Sequence, residues 1–115
     1  MKPKNERTVD YYKYVGANFR LLKELATMCY VEGLAVVPKH ERHVMLTMLN
    51  KARSACDLAE ASMWGDHPGL SDEYTAVFDG CTHKQPFGEI DKEVIEIARK
   101  IADNLVWRDN DGEQC

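Results

Sequence analysis

The residues best suited to chemistry lie between positions 66 and 88. This stretch contains acids, histidines and a cysteine between two glycine-bounded breaks, and four of them stand out: Asp66, His67, Cys81 and His83. A thiolate, two imidazoles and a carboxylate have the ligand types and the number of a zinc site. Their spacing matches no common structural zinc pattern, and Asp and Gly are ordinary residues at helix ends. The segment is therefore a candidate metal or small-ligand site, and a plain connecting loop is the alternative.

Other catalytic arrangements are poorly supported. His40 and His43 share a helix face, but neither forms part of a Glu-x-x-His or His-Glu-x-x-His pattern. Cys81 and His83 are the only close Cys–His pair, and residues two apart in an extended loop point to different sides. No glycine-rich phosphate loop is present. We assign no catalytic residue and no cofactor, and a non-enzymatic protein is favoured.

Aromatic residues indicate a second kind of site, an interaction surface. Large aromatic side chains are common anchors at protein interfaces, and the candidates are Tyr11, Lys13, Tyr14, Trp64 and Trp107. Alternating tyrosines and cations would also suit stacked nucleic-acid bases. An isoelectric point near 5.5 argues against nucleic acid. We therefore expect these residues to contact another protein.

The spacing of apolar residues predicts a long first helix, from Thr8 to Glu32. Thr8 or Asp10 can cap its start, and Gly33 can end it in the left-handed conformation. One stripe at steps of three and four contains Tyr12, Val15, Phe19, Leu22, Ala26 and Cys29, and a flanking stripe contains Tyr11, Tyr14, Leu21, Leu25 and Met28. A helix with so broad an apolar surface needs partners on more than one side. Full burial in a bundle or self-association would supply them.

A second long helix is predicted from about Lys39 to Gly65. Because the connection is short, the two helices should form an antiparallel hairpin. In the register that follows, Ala26 faces Met45, although a slip of seven residues would preserve the apolar stripes. Cys29 and Cys56 are then roughly 20 Å apart along the hairpin, so we expect free thiols.

The remaining elements complete an all-α fold. A short helix is predicted from Ser71 to Phe78, and an amphipathic last helix from Glu89 to Trp107 should pack in the groove of the hairpin. We expect a single helical domain over residues 1–115, with flexible tails at 1–7 and 108–115. The fold class is a small helical bundle built on a long antiparallel helix hairpin, with one short helix and a C-terminal amphipathic helix.

Composition narrows the cellular compartment in which we expect the protein. The chain has 115 residues, its longest apolar run is four residues, and its N-terminus has no signal-peptide pattern. Scattered cysteines are typical of a reducing compartment, so we expect a cytoplasmic protein with no membrane contact. Residues 1–40 contain seven Lys/Arg and four acids, whereas the remaining 75 contain eight and fifteen. This asymmetry could serve contact between copies, a basic partner, or attraction inside one fold.

The functional prediction follows from the lack of catalytic motifs, from the charge asymmetry and from the surplus of apolar helix faces. We expect a non-enzymatic intracellular protein-interaction module, a regulator, adaptor or inhibitor, that forms a homo-oligomer and binds another protein. The alternative is a small-ligand or metal-binding protein, which could carry hydrolytic chemistry, with its site in residues 66–88. Binding of a single species by His67, Cys81 and His83 would separate the two.

Overall fold

The computed structural model describes the backbone of residues 2–80 and 85–108, and side chains as far as residue 105. Three α-helices form the molecule: α1 at Val9–Gly33, α2 at Arg42–Asp66 and α3 at Glu89–Arg108. Short 3₁₀ helices lie at Lys4–Glu6, Lys39–Glu41 and Asp72–Val77, and no strand occurs in the described residues. The predicted all-α bundle is confirmed. None of the helices in these residues is long and apolar enough to cross a membrane.

The ends of α1 show one prediction confirmed and one wrong. The Thr8 hydroxyl accepts a hydrogen bond from the Tyr11 backbone N–H at 3.1 Å, which caps the helix as expected. Gly33 does not adopt a left-handed conformation, because the chain continues in a right-handed turn and Val37 N–H donates to the Gly33 carbonyl at 2.9 Å. A Cβ on Gly33 would meet the Met45 methyl group, which is the end of a flexible side chain and can move aside.

The hairpin is present, but its register differs from the predicted one. Ala26 clusters with Leu49 and Ala52 rather than facing Met45, which instead lies against Gly33. Met45 therefore faces a position seven residues further along α1 than the predicted one. The slip leaves every apolar stripe on the same side of its helix, so periodicity alone could not distinguish the two registers. The two described cysteines, Cys29 and Cys56, are free thiols, as predicted.

The short helix at Asp72–Val77 and α3 pack on α1. The predicted α-helix here is a 3₁₀ helix, and the Ser71 side chain makes no capping hydrogen bond. Gly16 lets the short helix approach α1 closely, because a Cβ on Gly16 would collide with the Val77 carbonyl. The main contacts of α3 are with α1 and the short helix. Its buried Val94 and Ala98 also share the core with Cys56 and Met63 of α2, so the three helices pack against one another as a bundle.

Cations of α1 bind acids of α3 inside this packing. Arg20 is completely buried, and its guanidinium lies 2.8 Å from the Asp91 carboxylate and donates to the Ala76 carbonyl at 2.7 Å. Lys13, also buried, reaches Glu93 at 2.6 Å. The basic first part of the chain and its acidic remainder therefore attract each other within one fold, which was one of the three explanations of the charge asymmetry.

Candidate interaction surface

The first predicted site residues, Asp66 and His67, hold the N-terminal segment against the end of α2. The Asp66 carboxylate lies 3.0 Å from Arg7 Nε and accepts a hydrogen bond from the Tyr12 hydroxyl at 2.5 Å. His67 Nε2 is 2.7 Å from the Arg7 carbonyl oxygen, and its ring meets the Tyr12 ring edge to face at 5.8 Å. These contacts tie together residues more than 50 positions apart. The visible role of both residues is to close this end of the hairpin.

The described residues around Asp66 and His67 do not form a set of metal ligands. Within residues 2–80 and 85–108, no group of three His, Cys, Asp or Glu residues could hold an ion. Cys81 and His83, the other two residues of the predicted site, lie outside the described part of the chain. Burial of Tyr12, aided by its hydrogen bond to Asp66, raises the pKa of the phenol to about 12. Tyr12 therefore stays neutral at physiological pH and donates a hydrogen bond from its hydroxyl to the Asp66 carboxylate.

The remaining nucleophile candidate in the described core is equally structural. Cys56 is buried, and burial raises the pKa of its thiol, which disfavours the reactive thiolate. Its sulfur lies 3.7 Å from the Phe78 carbonyl oxygen. His40, in the 3₁₀ helix before α2, and His43, in the first turn of α2, are both exposed. His40 lies 3.8 Å from the Glu41 carboxylate. These residues do not converge on a reaction centre.

The predicted interaction residues separate into two groups. Tyr11 and Tyr14 are exposed on α1, as an interaction surface requires. Lys13 is buried in its ion pair with Glu93, and Trp64 is half-buried against the core. The side chain of Trp107 lies outside the described part of the structure. The proposed alternation of basic and aromatic groups on one surface is therefore absent, because the cations of α1 point into the fold.

Tyr11 and Tyr14 belong to a longer exposed stripe that we call the open face. Its members follow one another along α1 at steps of three and four, and each is exposed: Tyr11, Tyr14, Asn18, Leu22, Leu25 and Cys29. Leu25 is 58% exposed and Tyr14 is 50% exposed. Such spacing places all six residues on one side of the helix. The stripe runs over five turns of α1 without a charged residue.

Apolar residues of both neighbouring helices extend the open face. Leu105 of α3 lines a cleft together with Tyr14 and Asn18, and Leu105 is itself exposed. Met48 and Val44 of α2 are exposed beyond the Cys29 end of the face, where their neighbour Met45 lies against Gly33. The apolar surface is thus wider than one helix.

The charges of α1 are concentrated on its other side. Lys13 and Arg20 bind acids of α3, and Lys23 donates to the Phe78 carbonyl at 2.8 Å. The hydrogen bond to Glu93 raises the pKa of Lys13, so its charge persists at physiological pH. Because the cations are used internally, the open face presents neither a positive nor a negative patch. Its chemistry is that of an apolar protein contact.

Only the first turn of this surface, with Tyr11 and Tyr14, was predicted as an interaction site. Leu22 and Cys29 belong to the main apolar stripe and Leu25 to the flanking one, for which burial in a bundle and self-association were both expected. The missed signal was the uncharged spacing from Tyr11 to Cys29, which by itself is compatible with burial inside one chain. Its exposure depends on where α3 packs.

The comparisons with known proteins provide no functional analogy. The chain matches no protein-family model, no curated protein and no solved structure. Its function must therefore be argued from the geometry and chemistry of its own residues.

Proposed function

We propose that this protein is a non-enzymatic interaction module that self-associates and binds other proteins through the open face of α1. The observation that carries the proposal is the uncharged exposed stripe from Tyr11 to Cys29, bordered by further exposed apolar residues on α2 and α3. Contiguous apolar patches on small proteins mark interaction sites. A regulator, adaptor or inhibitor acts by occupying a surface in this way.

The energetics favour such a contact. Taking a leucine side chain from full exposure to full burial contributes roughly 1.5–3 kcal/mol, and Leu22 and Leu25 still expose 42% and 58% of their surface. Aromatic side chains add contact area with few rotatable bonds. Because the helix is already held by α2, α3 and the short helix, little backbone entropy opposes binding.

The test is a charge placed near the middle of the open face. Leu22→Glu should abolish self-association, because a carboxylate would have to be buried in an apolar contact. The fold should persist, since Leu22 is exposed. Analytical ultracentrifugation over a wide concentration range measures the mass, and circular dichroism measures helicity.

The matched control is Leu46→Glu. Leu46 is 46% exposed on α2, on the flank that carries Arg53 rather than on the side toward Met48. This variant should keep the mass of the parent chain. A parent chain that sediments as a 13.1 kDa monomer at every concentration would refute self-association, and loss of association in both variants would show that the open face is not the contact.

A further inference from the structure

We infer that the open face pairs with the same face of a second copy, with the two α1 helices antiparallel and Asn18 on the two-fold axis. This inference rests on the proposed function, because it names the partner and the arrangement of the same surface. A two-fold dimer is isologous, so each residue of the stripe must be compatible with the residue that faces it across the axis. The stripe can therefore be tested against itself.

The spacing of the stripe is symmetric about Asn18. Tyr14 lies four residues before Asn18 and Leu22 four residues after it, and Tyr11 and Leu25 lie seven residues before and after. In an antiparallel pair centred on Asn18, Tyr14 meets the second copy's Leu22 and Tyr11 meets its Leu25. Each tyrosine ring thus packs against an aliphatic side chain, twice over by symmetry. No large apolar residue of this segment of the stripe is left facing a polar one.

Asn18 explains why this register is preferred over its neighbours. It is the only polar residue of the stripe, and other antiparallel registers at the same spacing bury its amide against Leu22, Leu25 or Cys29. A buried amide without a good partner is costly. On the axis the two Asn18 amides can bond to each other, because only one N–H of each is used by the Tyr14 carbonyl, at 3.0 Å. A single asparagine in an apolar helix seam sets register in coiled coils by the same means.

The helix dipoles favour the antiparallel direction. Antiparallel α1 helices place each N-terminus, with its partial positive charge, beside the C-terminus of the second copy, where exposed Glu32 continues the stripe at a spacing of three residues. Parallel pairing would instead bring the two like ends together.

The contact extends beyond one or two turns of helix. A standard protein interface removes about 800 Å² from each partner, and the stripe offers six exposed residues over five turns of α1. The exposed Leu105 beside Asn18 enlarges the contact close to the axis.

Cysteine cross-linking tests the register. In the full-length chain with Cys29, Cys81 and Cys115 changed to Ser, Asn18→Cys should form a covalent dimer on mild oxidation, because a thiol on the axis meets its own copy within the reach of a disulfide. Leu22→Cys should not, since its two copies would be roughly 12 Å apart along the helices. Mixing Tyr14→Cys chains with Leu22→Cys chains should give the mixed covalent dimer. Intact mass spectrometry without reductant measures each product.

The control is Thr27→Cys, at an exposed position on the opposite side of α1. This variant should give no covalent dimer in the same assay. Self-linkage of Leu22→Cys would overturn the inference in favour of parallel helices. Absence of both the Asn18→Cys dimer and the mixed dimer, in a parent chain that still sediments as a dimer, would overturn the register while leaving the proposed function intact. A parent chain that is monomeric by sedimentation would overturn both.

Discussion

The two sides of α1 reverse the usual distribution of residues. The side that packs against α3 buries charged groups, Arg20 completely and Lys13 almost so, whereas the open face exposes Tyr14, Leu22 and Leu25. On the packed side each cation has a partner, at 2.8 Å for Arg20 with Asp91 and at 2.6 Å for Lys13 with Glu93. On the open face the apolar residues have no cover within the described chain. Residue polarity alone therefore does not indicate which side of this helix is interior.

The two sides of α1 therefore have different roles. The packed side holds the fold together through ion pairs that need matched partners distant in sequence. The open face contributes little to the fold of one copy and leaves its apolar area for a partner. Substitutions on the packed side should therefore change stability, whereas substitutions on the open face should change association. The predictions below test this separation, beginning with the largest expected effect.

Asp91→Asn should cause the largest loss of stability, about 3–5 kcal/mol, because it removes the carboxylate that pairs with the buried Arg20 guanidinium at 2.8 Å. Urea denaturation monitored by circular dichroism measures the free energy of unfolding. The control is Asp79→Asn, which removes an exposed acid 3.6 Å from Lys23 and should cost less than about 1 kcal/mol. Equal losses in the two variants would show that the packed side does not depend on its buried pair.

Gly16→Ala should destabilise the fold by about 1–3 kcal/mol, because its methyl group would collide with the backbone of Val77. This loss would occur although alanine favours helices by about 1 kcal/mol over glycine. Gly65→Ala in α2 is the matched control, since a Cβ there meets nothing within 4 Å, and it should be neutral or stabilising. If thermal unfolding shows both variants to be stabilised, the short helix does not pack closely on α1.

Tyr12→Phe should cost about 1–2 kcal/mol near pH 7, because Asp66 loses a hydrogen bond inside the closed end of the hairpin. The pKa of Tyr12 is raised from 10.0 to about 12 in the fold. Its contribution to stability is therefore complete below pH 10 and disappears as the pH rises through 12. Urea titrations from about pH 9 to about pH 12 should show a steeper loss for the parent than for the variant. Tyr11→Phe, at the exposed start of the open face, should retain the parent's pH dependence.

Local patterns were enough to predict the helices. Thr8 begins α1 as predicted, α2 ends one residue beyond Gly65, and α3 begins at Glu89. These features depend on capping, glycine positions and apolar periodicity, all of which act within a few residues. The register of the hairpin was not predictable in the same way, since Met45 can face Ala26 or Gly33 without disturbing a stripe. Only the complete packing of both helices distinguishes the two.

The candidate sites were predicted less well for a related reason. Asp66 and His67 have the side chains of metal ligands, but Arg7 and Tyr12 meet them from the other end of the chain. Tyr11 and Tyr14 were correctly expected at the surface, whereas Lys13 was placed there wrongly. A cation is normally solvated, so its burial could be expected only from knowledge of the acid that faces it.

The sequence by itself determined the all-α class, the extents of three long helices and the excess of apolar surface on α1, because these depend on interactions between near neighbours. The tertiary structure alone decided which side of α1 is closed. That choice depends on Asp91 and Glu93 reaching Arg20 and Lys13 across more than 70 residues, and on Gly16 admitting the short helix. With these contacts made on one side, the uncharged stripe from Tyr11 to Cys29 remains exposed on the other.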